Sequence, residues 1–523
     1  MKASNKLLIA IPILLCFLIT PQTYAAENLD PEAQSLEWKV PPGAVNIQFN
    51  EANTDNQSVL FASSKKSKDA VPTVSHICKS ITDPRCVNFG TVLTYTSILS
   101  PCSKVLLSGC IDSVWAIPET STAGKKISGA LVSEFQTKTG FPESKKYDIP
   151  QGGATSIWSI PGGNLGGSEL FSVTASVTGG ATNFWKSPKE NPCPCGLSLS
   201  IQPVRLVTGW WHTLGLIEDA KPFSPGFSPD GGLDPSCAAV QEGECARKAS
   251  FTALGTRYGI TFRLSKQVGD RWFAGRLDKP TINIQGDSKK GMLYSIEGNP
   301  MQVPYVSVNV DWNNIPKALK STLTDPAVWN HIQAKYLDPA GNLQTDTSTG
   351  TLPSFNFGYN ADEADSVSRF AKWLPLTGEI PYAMKTYWNL RSIWDLGNTQ
   401  QCVFSYNPYF VGLVTTNAVV YTSGPPTLSA GSLAYKVGAT HFKSTDTAFP
   451  GEYNLVMRSD VARCLYKLDK TPVQGSVVIT SDNGRNDIAT VVTGEKSGWV
   501  YLSASNFHYS INTIRVKLAQ KKK

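Results

Sequence analysis

The chain has 523 residues, 11 cysteines and a formal charge of +7, which is mild and spread over the whole length. Such a balance argues against a nucleic-acid-binding protein. After residue 19 no apolar run approaches the roughly 18 residues of a membrane span, which argues against a transmembrane anchor.

Lys2 and Lys6 precede an unbroken apolar stretch from Leu7 to Ile19, and Thr23-Tyr24-Ala25 places small residues at −3 and −1 of a cleavage site. This predicts a signal peptide over 1–25, with the cut before Ala26 and a secreted or envelope-associated product. The apolar stretch would reach roughly 20 Å as a helix, short of the roughly 30 Å hydrocarbon core. Cys16 lies inside that stretch behind Leu14-Leu15, where a lipidation site would carry small residues, so ten cysteines are expected in the mature chain.

Residues 26–75 are polar and weakly patterned and read as an exposed leader. From 76 to 190 short apolar runs such as Thr91–Tyr95, Ser156–Ile160 and Leu170–Val177 alternate with glycine turns, notably Pro161–Gly167, as in a β module. A second β module over 191–310 holds Leu197–Val207, Tyr258–Leu264, Arg271–Leu277 and Val306–Val310, whose alternation fits strands with one wet face. Residues 311–400 form a helix-containing insert. Asp325-Pro326 opens one candidate helix, and 362–374 is another, with Val367, Phe370, Ala371 and Leu374 on one face and Pro375 ending it. A C-terminal β-sandwich module over 401–523 contains an expected hairpin, Ser476–Thr480 and Ile488–Val492 about Asp482-Asn-Gly484, and later strands at Trp499–Leu502 and Thr513–Leu518. The fold class is thus mainly β, several sandwich-like modules with a small helical insert. The basic ending from Arg515 to Lys523 reads as a solvated, frayed tail.

Three cysteine pairs share one spacing, Cys78/Cys86, Cys102/Cys110 and Cys237/Cys245, which in an oxidising compartment reads as short-loop disulfides. Each is worth roughly 2.5 kcal/mol of loop entropy. Cys402 and Cys464 follow alone, each beside an expected strand, and are natural partners at roughly 4 kcal/mol. Cys193-Pro194-Cys195 is left over, since a bridge across one residue is strained, and either cysteine could pair elsewhere. These spacings fit structural zinc poorly.

Cys102 to Trp115, Gly152 to Gly162, Arg271–Arg276 with Asp278, and the ending from Val461 to Leu518 resemble an uncharacterised group of secreted actinobacterial proteins. The resemblance implies export and carries no catalytic residue or cofactor.

No Gly-x-Ser-x-Gly elbow and no His-Glu-x-x-His helix occurs. His212 stands isolated, and the acidic groups Asp362-Glu363-Asp365 and Asp230 with Asp234 lack calcium-loop spacing. Leu374-Pro-Leu-Thr-Gly378 matches a wall-sorting signal in form, but it stands far from the C-terminus and reads as a helix-ending turn. Trp210, Trp211, Trp272, Trp388 and Trp394 are the aromatics able to stack on a sugar, with a core role as the competing reading. No catalytic, cofactor or metal residue is assigned. The expected role is a binding, adhesive or structural one toward an envelope polymer or polysaccharide. The alternative is a secreted hydrolase of glycans or other extracellular polymers, whose carboxylates would come from distant residues.

Overall fold

The computed structural model describes residues 43–49, 57–64, 74–88, 92–185, 193–209, 236–265, 272–287, 291–324, 366–393, 410–469 and 473–520, except 122, 123 and 423, together with 41, 51, 211, 338, 343, 354–356 and 402. The fold is mainly β. The signal peptide, the helix expected after Asp325, His212 and the acidic groups at 230–234 and 362–365 lie outside the described residues.

One long sheet organises the molecule. Its hydrogen-bonded order is Val74–Ile77, Val59–Ser64, Val92–Ile98, Leu170–Thr182, Cys193–Thr208, Asn389–Ile393, Trp272–Asp287, Gly412–Thr416, Pro450–Arg458, Trp499–His508 and Thr490–Lys496. Every neighbour is antiparallel except Gly412–Thr416 beside Trp272–Asp287, which runs parallel. The module boundaries expected at 190/191, 310/311 and 400/401 therefore do not separate the sheets. Turn residues mark where a strand ends, whereas the choice of partner is made by distant segments of the chain.

Both faces of the sheet's middle are apolar. Trp272 and Ala274 face one core and Phe273 the other; Val414 and Leu413 divide the same way, as do Leu455 with Met457 and Val456. A strand buried on two sides shows a near-continuous apolar run in place of alternation. On one side the sheet shares its core with a second sheet built from Cys110–Ile117, Arg257–Leu264, Gly291–Asp311 and the far half of Trp272–Asp287. On the other it shares a core with a third sheet containing Ser432–Gly438, Ile511–Gln520 and Val473–Ser481.

The strand Trp272–Asp287 belongs to two sheets. Residues 272–276 pair in the long sheet and 277–287 in the second. The change takes place at an irregularity between Asp278 and Thr281, where Lys279 has φ +47°. A bulge that bends the strand is the usual way to turn such a corner.

The leader is not exposed throughout: Ala44–Phe49 is a strand paired with the end of Gly291–Asp311, and Val45, Ile47 and Phe49 are fully buried. Their period-two spacing is the strand signal that the polar surroundings mask. The basic ending is likewise no frayed tail as far as Gln520, for Ile511–Gln520 is an inner strand with Ile514, Val516 and Leu518 buried and Arg515 and Lys517 outward. The hairpin after Ser481 pairs only Ile479 with Asp487 and Thr480 with Asn486; Thr490–Lys496 then crosses to the long sheet, which holds its hydrogen-bonding partner.

The helix Ser366–Trp373 buries Val367 and Phe370 as its pattern predicts, and a 3-10 turn, Leu374–Leu376, ends it at Pro375. All four expected disulfides are present, with Cα separations of 5.9 Å for Cys78–Cys86, 4.9 Å for Cys102–Cys110 and 5.7 Å for both Cys237–Cys245 and Cys402–Cys464. Cys464 stands on the helix Ser459–Tyr466, where a strand was expected, and Val461, Ala462 and Leu465 give that segment its buried face. The side chains of Cys193 and Cys195 lie outside the described residues. No helix among the described residues is long and apolar enough to cross a membrane.

Candidate functional site

The tryptophans chosen from sequence are core residues where they are described. Trp272 is fully buried and its ring lies where a Cβ on Gly412 of the neighbouring strand would stand, so that glycine admits the indole. Trp388 is buried and donates from Nε1 to the Gly298 carbonyl at 2.9 Å. Trp211 packs with the Cys237–Cys245 disulfide and Val240. None of the three offers a face to a sugar; the large apolar area that suits an indole to stacking also suits it to a core. Trp210 and Trp394 lie outside the described residues.

Beside Trp272, the same strand carries a charged group into the interior. Arg276 is fully buried, with Nε donating to Glu51 Oε2 at 2.7 Å and Nη1 donating to the carbonyls of Thr416 and Ala418 at 2.6 Å each. Nη2 donates to Val419 O at 3.3 Å, and the guanidinium stands 4.7 Å from the Tyr421 ring. Burial alone would lower its pKa, but Glu51 and Tyr421 hold it above the ordinary value. The guanidinium is committed to the segment 416–419 and to Glu51.

Among the described residues, Tyr382 (49% exposed) and Phe442 (38%) are the most exposed phenylalanine, tyrosine or tryptophan side chains. Phe442 follows His441 and Tyr382 lies three residues after Glu379, and His441 Nδ1 contacts Glu379 Oε2, with each partner partly exposed. The loop that presents Glu379 and Tyr382 is the Leu374–Gly378 motif and its continuation. Thr377 Oγ1 donates to Leu374 O at 2.8 Å and accepts from Glu379 N at 3.3 Å. Gly378 and Glu379 then take φ of +69° and +59°, a reversal that costs glycine little and a glutamate about 1–2 kcal/mol. Pro381 is buried, and Tyr382 N donates to Tyr305 O at 2.8 Å, fixing the tyrosine against Gly291–Asp311. The motif is the helix-ending turn its position suggests.

The second loop is the segment 440–442. Phe442 N donates to Glu379 O at 3.3 Å, Phe449 N to His441 O at 2.9 Å, and Thr440 Oγ1 to Phe442 O at 3.0 Å. Two backbone-anchored loops thus present two aromatic rings, an imidazole and a carboxylate to solvent. Rings of this kind stack on the apolar face of a sugar, and the imidazole–carboxylate pair offers donors and acceptors to its hydroxyls. Sequence reasoning missed the patch by weighing tryptophans first. The available signal was Phe442 in the polar run Thr440–Asp446.

Among the described residues no three His, Cys, Asp or Glu side chains gather as a metal site would require. No family model matches the chain, and no curated protein matches it.

Proposed function

We propose that the protein is exported and binds a polysaccharide at the cell exterior or in the envelope, with Glu379, Tyr382, His441 and Phe442 as the contact surface. The observation that carries this reading is that the two exposed aromatic side chains stand on the two loops joined by the Glu379–His441 pair. Four disulfides, three of them closing nine-residue loops, suit an oxidising compartment. Processing before Ala26 belongs to the same reading, and N-terminal sequencing of the native protein tests it.

The binding test uses the folded protein and a panel of insoluble polysaccharides, peptidoglycan, chitin and cellulose among them, in sedimentation assays. Tyr382→Ala and Phe442→Ala should each weaken binding about tenfold, equivalent to about 1.4 kcal/mol. Retention of full binding by the double variant rejects the patch; no binding to any polysaccharide by the unaltered protein rejects the function.

A further inference from the structure

The sequence contains a single Asn-Gly pair, Asn483-Gly484, and the fold places it in the turn that follows Val473–Ser481. Asp482, Asn483, Gly484, Arg485 and Asn486 are all exposed. Gly484 N donates to Ser481 O and Ser481 N to Arg485 O, each at 2.9 Å, and Gly484 takes φ +80°. The Asn483 side chain folds back over this backbone, its Oδ1 accepting from Arg485 N at 3.1 Å and from Ser481 Oγ at 2.5 Å. The first of these bonds closes a ring of atoms that includes both Asn483 Cγ and the Gly484 nitrogen. Nothing lies within 4 Å of the position a Cβ on Gly484 would take, so the glycine side of that nitrogen is open. Asn164 is the opposite case: it is buried before Leu165, and its amide is spent on Ser250 O and Thr252 N.

We propose that Asn483 is a site of self-modification, where the side-chain amide is lost through a succinimide formed with Gly484. Hydroxide removes the Gly484 amide proton and so breaks the bond to Ser481 O. The freed electron pair on nitrogen bonds to Asn483 Cγ, and the Cγ–Nδ2 bond breaks with ammonia as the leaving group. Negative charge develops on Oδ1, where Arg485 N and Ser481 Oγ already donate. Water then opens the ring. Attack at Cγ gives aspartate, and attack at the main-chain carbonyl of residue 483 gives isoaspartate, in which the backbone runs through Cβ and Cγ and is longer by a methylene. An amide and water are consumed, and a carboxylate and ammonium are formed. The hairpin closed by this turn has only the pairs Ile479–Asp487 and Thr480–Asn486, and Asp487 accepts from His508 N and faces His508 Nδ1 at 3.2 Å. A longer turn shifts Asn486 and Asp487 against these partners.

Peptide mapping by mass spectrometry of the full chain, aged at pH 6 and at pH 8, tests the site. A gain of about 1 Da should accumulate in the peptide carrying Asn483, about tenfold faster at the higher pH because the reaction begins with loss of a proton. A protein isoaspartate methyltransferase should label that peptide, and hydrogen exchange over 476–488 should be faster in the aged protein. Gly484→Ala should slow the gain at least about tenfold, since a Cβ crowds the attacking nitrogen. Ser481→Ala should slow it about threefold in the folded protein and leave it unchanged in urea, where the donor at Oδ1 is already lost. An unaltered peptide mass after ageing, or a gain at Asn164 as fast as at Asn483, overturns the proposal. So does a gain that persists in Asn483→Gln, because it then comes from Asn486. Should Gly484→Ala fail to fold, equal rates for Ser481→Ala and the unaltered protein still overturn the role given to the turn.

Discussion

Two side-chain pairs among the described residues, each with aromatic rings on the neighbouring chain, have opposite fates. Around Arg276 the pair with Glu51 is buried, the guanidinium is spent on three carbonyls, and Tyr421 covers it. Around His441 the pair with Glu379 stands at the surface, with Tyr382 and Phe442 open to solvent. The residue types are alike; the number of backbone partners differs. A charge surrounded by the chain's own carbonyls is part of the scaffold, whereas one at the surface keeps hydrogen-bonding capacity for something outside the chain.

The sharpest way to break this comparison is to remove one partner from each pair. Glu51→Ala leaves a buried guanidinium without its countercharge and should cost about 3–5 kcal/mol in urea unfolding. If the loss is below about 1 kcal/mol, Arg276 is not the clamp described. The Cys402–Cys464 bond comes next. It ties a residue preceding Gly412–Thr416 to the helix that follows Pro450–Arg458, and both strands lie inside the long sheet. The Cys402→Ala/Cys464→Ala variant should lose about 2–4 kcal/mol, with a single unfolding transition. A separate early melting of residues 401–523 would instead revive an independent C-terminal module.

Stability against pH separates Glu452, on Pro450–Arg458, from both pairs. The folded carboxyl of Glu452 titrates at about 7, above its ordinary 4.5, so its contribution is complete below pH 4.5 and is lost as pH rises to about 7. Between those limits the unaltered protein should lose about 2 kcal/mol relative to Glu452→Gln, a figure reduced for the partial exposure of the side chain. Parallel pH profiles for the two proteins would show that Glu452 does not titrate differently on folding.

How much of this was readable beforehand follows from the range over which each signal acts. The short-loop disulfides and the helix around Phe370 are local, and spacing alone reveals them. Ala44–Phe49 carried a period-two pattern that its polar neighbours hid, whereas Ile511–Gln520 was legible as a strand over Thr513–Leu518 although its basic residues suggested fraying at the end. Strand pairing crosses the expected module boundaries for a deeper reason: Trp272–Asp287 pairs with partners from 291–311, 389–393 and 412–416, and no local property of a strand names its neighbour. The Glu379–His441 patch is of the same kind. Glu379 and His441 are 62 residues apart in sequence and meet only through the fold.

The smallest expected effect is the most informative about the patch. Glu379→Gln removes one charge from a partly exposed pair, and such pairs contribute about 0–1 kcal/mol because water screens them. Tyr382→Ala removes a ring that is half in solvent already, although its edge-on contact with Tyr305 at 6.0 Å gives it some packing to lose. Unfolding free energies for Glu379→Gln should therefore fall within about 0.5 kcal/mol of the unaltered protein, with Tyr382→Ala slightly lower. A loss above about 2 kcal/mol for Glu379→Gln would place the surface pair in the same class as Arg276 and Glu51. Its side chains would then be holding the 374–382 loop against 440–442, and any loss of polysaccharide binding in the patch variants would report a disturbed scaffold in place of a missing contact.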